Sequence, residues 1–212
     1  MIDPSFAITG ARVDPYAAAP SLLLRVALTE GSGVRIDAIV LRALVQLEVQ
    51  RRRYLPEESA LLTELFGDAS RYAETLRPMV WANVSHSVLA FERATEFELA
   101  LPCSYDFEVA ANKYLASLQN GPIPINVLFS GTVFVDGPAG VTAEFVPWSC
   151  EARYAIPVPL WREAADAFFP NEAWIRVHRD VFDELRRFKS ATGLPTWDAA
   201  LARLCEMARL QR

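Results

Sequence analysis

Ile123-Pro124-Ile125-Asn126-Val127-Leu128-Phe129-Ser130-Gly131-Thr132-Val133-Phe134-Val135, then Asp136-Gly137-Pro138-Ala139-Gly140, then Val141-Thr142-Ala143-Glu144-Phe145-Val146, is the stretch that decides the fold class. β-Branched and aromatic residues fill both arms, and such side chains suit a pleated surface better than a helix, where their χ1 freedom is lost. Two glycines and a proline separate the arms, so the chain reverses there. The segment predicts a β-hairpin.

Toward the N-terminus the same period of two recurs in Leu22, Leu24, Val26 and Leu28, with Gly31-Ser32-Gly33 behind it as a turn and a second apolar run beyond. That arrangement also predicts a hairpin. In the second run Leu41, Leu44, Val45, Leu47 and Val49 partly fit helical spacing. Val34, Ile36, Ile39 and Val40, with no cap at the start, favour a strand instead. From Met79 to Leu101 strands return, with Val80, Val84, Val88, Phe97, Leu99 and Leu101 expected to face inward.

Helices interrupt and follow these strands. Pro56-Glu57-Glu58 places a proline and two acids where a helix N-terminus favours them, and residues 56 to 76 read as a helical insertion ending before Arg77-Pro78. A helix is expected over 107 to 119, stopped by Asn120-Gly121-Pro122. At Pro159 the apolar spacing changes from two to three and four, giving a helix that ends at Pro170-Asn171, then a short strand at Trp174-Ile175-Arg176-Val177. Asp180 to Phe188 forms an amphipathic helix with Gly193 as C-cap, and Thr196 caps a last helix carrying Trp197, Leu201, Leu204, Cys205 and Ala208 on one side.

Strands in runs, with helices inserted and appended, predict an α+β fold: a largely antiparallel β-sandwich with a helical insertion and C-terminal helices. A doubly wound parallel fold fits worse, because it needs crossover helices between most strands. We expect one domain over 1–212, strand-rich through 158 and mainly helical from 159, with a separate small helical unit as the alternative.

Composition narrows the function. The 212 residues are 52% hydrophobic with a formal net charge of −5, which argues against nucleic acid or an anionic lipid surface as partner. Met1 to Ser5 does not open a secretory signal, and no apolar run is long enough to span a bilayer, so a cytoplasmic protein is expected. Three widely spaced cysteines, Cys103, Cys150 and Cys205, suit reduced thiols better than a disulfide framework.

No motif carries chemistry outright. Gly131, Gly137 and Gly140 match neither a P-loop nor a dinucleotide fingerprint and are read as hairpin-turn glycines. Paired ligands at zinc spacing are missing, although Cys103, Cys150 and His86 are metal-ligand candidates if the fold gathers them. A nucleophile would need His86 or His178 as its base, while Asp106 and Glu108 read better as helix-capping acids than as an acid–base pair. No catalytic residue and no cofactor are therefore expected. The arginines at 51 to 53 are read as pairing with Glu57 and Glu58 on a solvated edge, and five tryptophans exceed what a core of this size requires. Arg51, Arg52, Arg53, Tyr54, Tyr105 and Trp148 are the candidates for contact with another protein, and a homo-oligomer stays open.

Arg51-Arg52-Arg53-Tyr54, Leu65-Phe66-Gly67, Thr75-Leu76-Arg77-Pro78, Pro102-Cys103-Ser104-Tyr105-Asp106-Phe107-Glu108-Val109, Leu128-Phe129-Ser130-Gly131-Thr132-Val133-Phe134 and Leu194-Pro195-Thr196-Trp197-Asp198 together resemble an uncharacterised bacterial family, a domain of unknown function encoded beside genes for high-affinity uptake nickel–iron hydrogenases. The resemblance covers nearly the whole chain. It implies an accessory role, with a hydrogenase subunit or maturation factor as protein partner, and carries no catalytic residues. The alternatives are a metal or cluster handling factor using cysteine ligands, and an enzyme with a dispersed site.

Overall fold

The computed structural model describes residues 2–103, 110–137, 140–167 and 177–210. By contact density the chain forms two compact units, Met1–Trp174 and Ile175–Arg212.

The first unit holds two antiparallel sheets. β1 (Pro4–Val13), β2 (Ser21–Glu30) and β5 (Ala94–Pro102) form one, in the order β1-β2-β5. β4 (Met79–Val88), β3 (Ile36–Leu47), β6 (Pro122–Gly137) and β7 (Gly140–Phe145) form the other in that order, and β8 (Glu151–Pro157) pairs with the first half of β6. Alternation selects the buried face: Leu22, Leu24, Val26 and Leu28 of β2 are all fully buried, as are Leu41, Leu47, Ile123, Ile125 and Val127 of the facing sheet. Each such side chain removed from water contributes about 1.5–3 kcal/mol. Phe6 of β1 stacks on Phe129 of β6 with ring centroids 4.2 Å apart, and His86 of β4 stacks on Phe97 of β5 at 4.8 Å. These contacts join the two sheets as a sandwich. The α+β class and its antiparallel sheets are those the alternation predicts.

Between β3 and β4 lies the helical insertion. α1 (Pro56–Phe66) opens with Pro56 at its first position, where a missing N–H costs nothing, and stops at Gly67, whose φ of 76° suits a residue without Cβ. A 3-10 turn and the short α2 (Tyr72–Thr75) complete it. α3 (Ala110–Ser117) buries Tyr114 and Leu115, and α4 (Val158–Asp166) lies against β1 and β2. The residues expected to start the α3 helix, 107 to 109, lie outside the described segments, as do the helix stop at 170–171 and all of the strand expected at 174–177 except Val177, which is in no strand.

The second unit is a helical hairpin. α5 (Arg179–Ala191) ends in a turn where the Leu194 N–H donates to the Lys189 carbonyl and Gly193 takes a φ of 65°. Thr196 Oγ1 then accepts from the Ala199 N–H at 3.1 Å and starts α6 (Trp197–Leu210), the cap and stop that the sequence predicts. Phe182 packs on Trp197 at 5.3 Å, and Ala200 is buried. Cys205, expected on the apolar side, is exposed.

Three expectations change. β2 and β3 are not a hairpin: β2 pairs with β1 and β5, and Gly31 to Gly33 carries the chain from one sheet to the other. Val80 faces solvent, because the register with β3 steps from Val45–Ala82 to Gln46–Val80, and this bulge reverses the alternation beyond it. Gly131 is no turn residue. It lies in mid-strand opposite Leu41, with a φ of 149°, and a Cβ there would run into the Val40 carbonyl oxygen. Among the described residues no helix is long and apolar enough to cross a membrane.

Candidate functional site

Arg52 lies just past the end of β3 and turns inward. Its side chain is 4% exposed and forms an ion pair at 2.6 Å with Glu58 of α1, which is 0% exposed. Its two terminal nitrogens also donate to the carbonyls of Asn120 and Pro122, so one side chain ties together the end of β3, helix α1 and the entry to β6. Glu58 also accepts from the N–H groups of Gln119 at 2.7 Å and Leu55 at 3.0 Å. Burial pushes the Glu58 carboxyl up, but those two N–H groups and Arg52 outweigh it, and the acid is held below the usual carboxylate range. Arg52 Nε is buried with no partner among the described residues.

Tyr54 extends this node. Its hydroxyl donates to the Val49 carbonyl at 2.6 Å and lies 3.2 Å from the Tyr114 hydroxyl, while its ring sits under the Arg52 guanidinium at 5.9 Å. Burial and then the neighbouring Tyr114 hold the Tyr54 phenol protonated far above its ordinary range. An open cleft of about 620 Å³, walled by Arg53, Tyr54, Tyr72 and Leu76, flanks the node. Arg52 is thus an internal brace rather than the solvated-edge residue expected, and Tyr54, half-buried, packs beside it at the wall of the cleft. The Arg52 carbonyl partners at 120 and 122 are distant in sequence, so local spacing to Glu57 and Glu58 suggested a pair on the surface rather than a buried one. Arg51 does sit on the surface, 3.6 Å from Glu48, and Arg53 is exposed.

The metal candidates are held apart in their own surroundings. Cys103 is buried, donates to the Leu101 carbonyl at 3.6 Å, and has its thiol pushed up to about 12 by burial. Cys150 Sγ lies 3.4 Å from the Pro4 carbonyl, and burial, with Asp3 adding to it, raises its thiol as well. His86 lies flat on Phe97, where burial lowers its pKa. Among the described residues no group of three or more His, Cys, Asp or Glu side chains is placed to hold a metal ion. Asp106, Glu108 and Tyr105 lie outside the described residues. Reactivity follows from these surroundings, since the thiolate is the attacking species. In a native thiol-labelling time course Cys205 is expected to react first and Cys103 only as the protein unfolds; fast labelling of Cys103 would contradict its placement.

The outer face of the β4-β3-β6-β7 sheet has two unlike ends. At one end it is polar: Arg153 pairs with Glu151 at 3.0 Å and Glu48 at 3.5 Å, and Asn126 donates to Glu151. At the other end it is apolar. The register sets Val40, Thr132 and Phe145 side by side across β3, β6 and β7, and Ala38, Phe134 and Ala143 in the next row. Val40 is 52% exposed, Val141 66% and Phe145 81%, while Trp148, just beyond β7, reaches 94%. Of the contact candidates read from the sequence, Trp148 is therefore the most solvent-facing apolar side chain among the described residues. Its neighbours Val141 and Phe145 escaped that reading, because only the pairing of β7 with β6 reveals which face they share.

Comparison with known proteins adds a family and little else. No curated protein matches the chain. Two solved structures resemble it at a TM-score of 0.28, too low to carry an argument. The ApaA protein from Bordetella pertussis is 12% identical over 74% of this chain and 92% of its own. β-Glucosidase 3B from Thermotoga neapolitana, in complex with α-D-glucose, is 9% identical over 73% of this chain and 17% of its own. The sequence pattern of the family of unknown function DUF6084 matches residues 1–212, and the chain belongs to that family.

Proposed function

We propose that this protein is a non-catalytic accessory factor that holds another protein against the apolar end of its outer sheet face. The observation that carries the reading is the alignment of Val40, Val141 and Phe145 on one exposed sheet face, with Trp148 fully exposed in the turn just beyond β7. Apolar side chains gathered on one face are favourable only when something removes them from water, and aromatic residues are the ones that dominate binding energy at protein interfaces. The sequence resemblance supplies the partner: a subunit or precursor of a nickel–iron hydrogenase, bound in the cytoplasm during assembly or maturation.

The test uses affinity-tagged full-length chain in cells that express such a hydrogenase. Wild type is expected to copurify a hydrogenase subunit or maturation component, and a Phe145→Asp/Trp148→Asp variant is expected to lose it. Because both side chains are exposed, the unfolding free energy should change by no more than about 0.5 kcal/mol per site. Recovery of no hydrogenase component by wild type, or equal recovery by the variant, would refute the proposal.

A further inference from the structure

Among the described residues, every sheet edge except one is covered or blunted. The outer strands of the three-stranded sheet lie against those of the other sheet, β1 along β8 and β5 along β4. β1 also carries a bulge at Ile8–Gly10, and β5 ends in Pro102. β7 is the exception: it pairs with β6 on one side and, among the described residues, with no strand on the other. Residues 140–145 contain no proline, lysine, arginine or bulge, and the one inward-facing charge, Glu144, is engaged by the Ile2 N–H.

The register shows which groups that edge offers. Val146 N–H donates to the Gly131 carbonyl, so in the antiparallel ladder the even-numbered residues of β7 bond to β6. Val141, Ala143 and Phe145 therefore point their N–H and C=O groups outward. We propose that these groups pair with the same strand of a second copy, in an antiparallel dimer whose two-fold axis passes beside Ala143.

The sequence of β7 is self-complementary about that axis. Val141 falls opposite Phe145 of the second copy, an apolar pair on the outer face, and Thr142 falls opposite Glu144 on the inner face. No like charges meet, since Glu144 never faces its own counterpart. Glu144, which accepts from the Ile2 N–H at 3.1 Å, keeps that bond because the pairing uses only backbone groups of odd-numbered residues. The dimer runs the two β4-β3-β6-β7 sheets into one and brings both apolar ends together, which gives the symmetric, isologous contact that closed dimers require. The inference stands on the register of β7 rather than on the identity of any client, so it survives or fails separately from the accessory role.

Sedimentation velocity on the full chain tests it, with four variants. Wild type is expected to dimerise. Ala143→Pro removes an outward N–H but no bond to β6 and should give a folded monomer whose thermal midpoint no longer rises with concentration, as that of the wild-type dimer does. Thr142→Glu sets like charges opposite each other twice per dimer and should weaken association about tenfold, whereas Thr142→Lys should not weaken it. Ala143→Cys in a Cys205→Ser background should form a disulfide-linked dimer under mild oxidation, because a hydrogen-bonded antiparallel pair holds Cα atoms about 5.5 Å apart. A wild-type chain that stays monomeric at high micromolar concentration would overturn the proposal. So would a dimer that persists in Ala143→Pro, or failure of Ala143→Cys to cross-link. If the hydrogenase capture fails while these results hold, only the accessory role is lost.

Discussion

Glu58→Ala is expected to lower the unfolding free energy by about 3–5 kcal/mol, because it leaves the Arg52 guanidinium buried without its counter-charge. It also orphans the N–H groups of Leu55 and Gln119, which Glu58 satisfies in the native state. The effect has a pH signature. The folded-state pKa of Glu58 lies below its unfolded value, so its contribution is complete above the unfolded carboxylate range and is lost as pH falls through the folded pKa. Urea titrations of wild type and Glu58→Gln should therefore differ most near neutral pH and converge in acid. A difference independent of pH would show that the charge of Glu58 is not what holds Arg52. Arg52→Ala should be comparably costly, since it leaves Glu58 charged and buried at 0% exposure.

Gly131→Ala is the second large effect. Gly131 occupies a φ of 149°, a region that residues with a Cβ avoid, and the added methyl would meet the Val40 carbonyl oxygen and come within 3.1 Å of the Leu41 Cα. Neither neighbour is a flexible side chain. Both belong to the backbone of β3, the strand between β4 and β6, so relief requires opening the β3–β6 ladder. We expect a loss of more than about 4 kcal/mol, read as a collapse of the thermal midpoint or as insoluble expression. Gly140→Ala is a useful contrast: nothing lies within 4 Å of its added Cβ, so strain in φ is its only cost. Equal midpoints for the two variants would rule out the backbone clash as the cause.

The strands whose pattern depends only on nearest neighbours were legible in the sequence. Leu22 to Leu28 alternate into the core, and the arms on either side of residues 136 to 140 form the β6–β7 hairpin, whose turn residues 138–139 lie outside the described segments. β1 was not recognised, because Gly10 and the bulge beside it break its alternation. Gly31-Ser32-Gly33 signals a reversal but not whether the next strand returns to the same sheet or crosses to the facing one. Arg52 illustrates the harder limit: its fate depends on carbonyls 68 and 70 residues away, which no local spacing encodes. The contact face was half legible. Trp148 is among the contact candidates that the heavy aromatic load suggests, but the exposure of Val141 and Phe145 depends on the register of an edge strand.

The central claim is that the apolar end of the outer sheet face is where a protein partner binds. Amide hydrogen exchange of the full chain, with and without a purified hydrogenase large-subunit precursor, tests it most directly. We expect added protection in residues 132–146 and around Val40, with the Arg52–Glu58 node and its flanking cleft unchanged. Protection centred on the cleft instead, or none anywhere at saturating precursor, would contradict the claim.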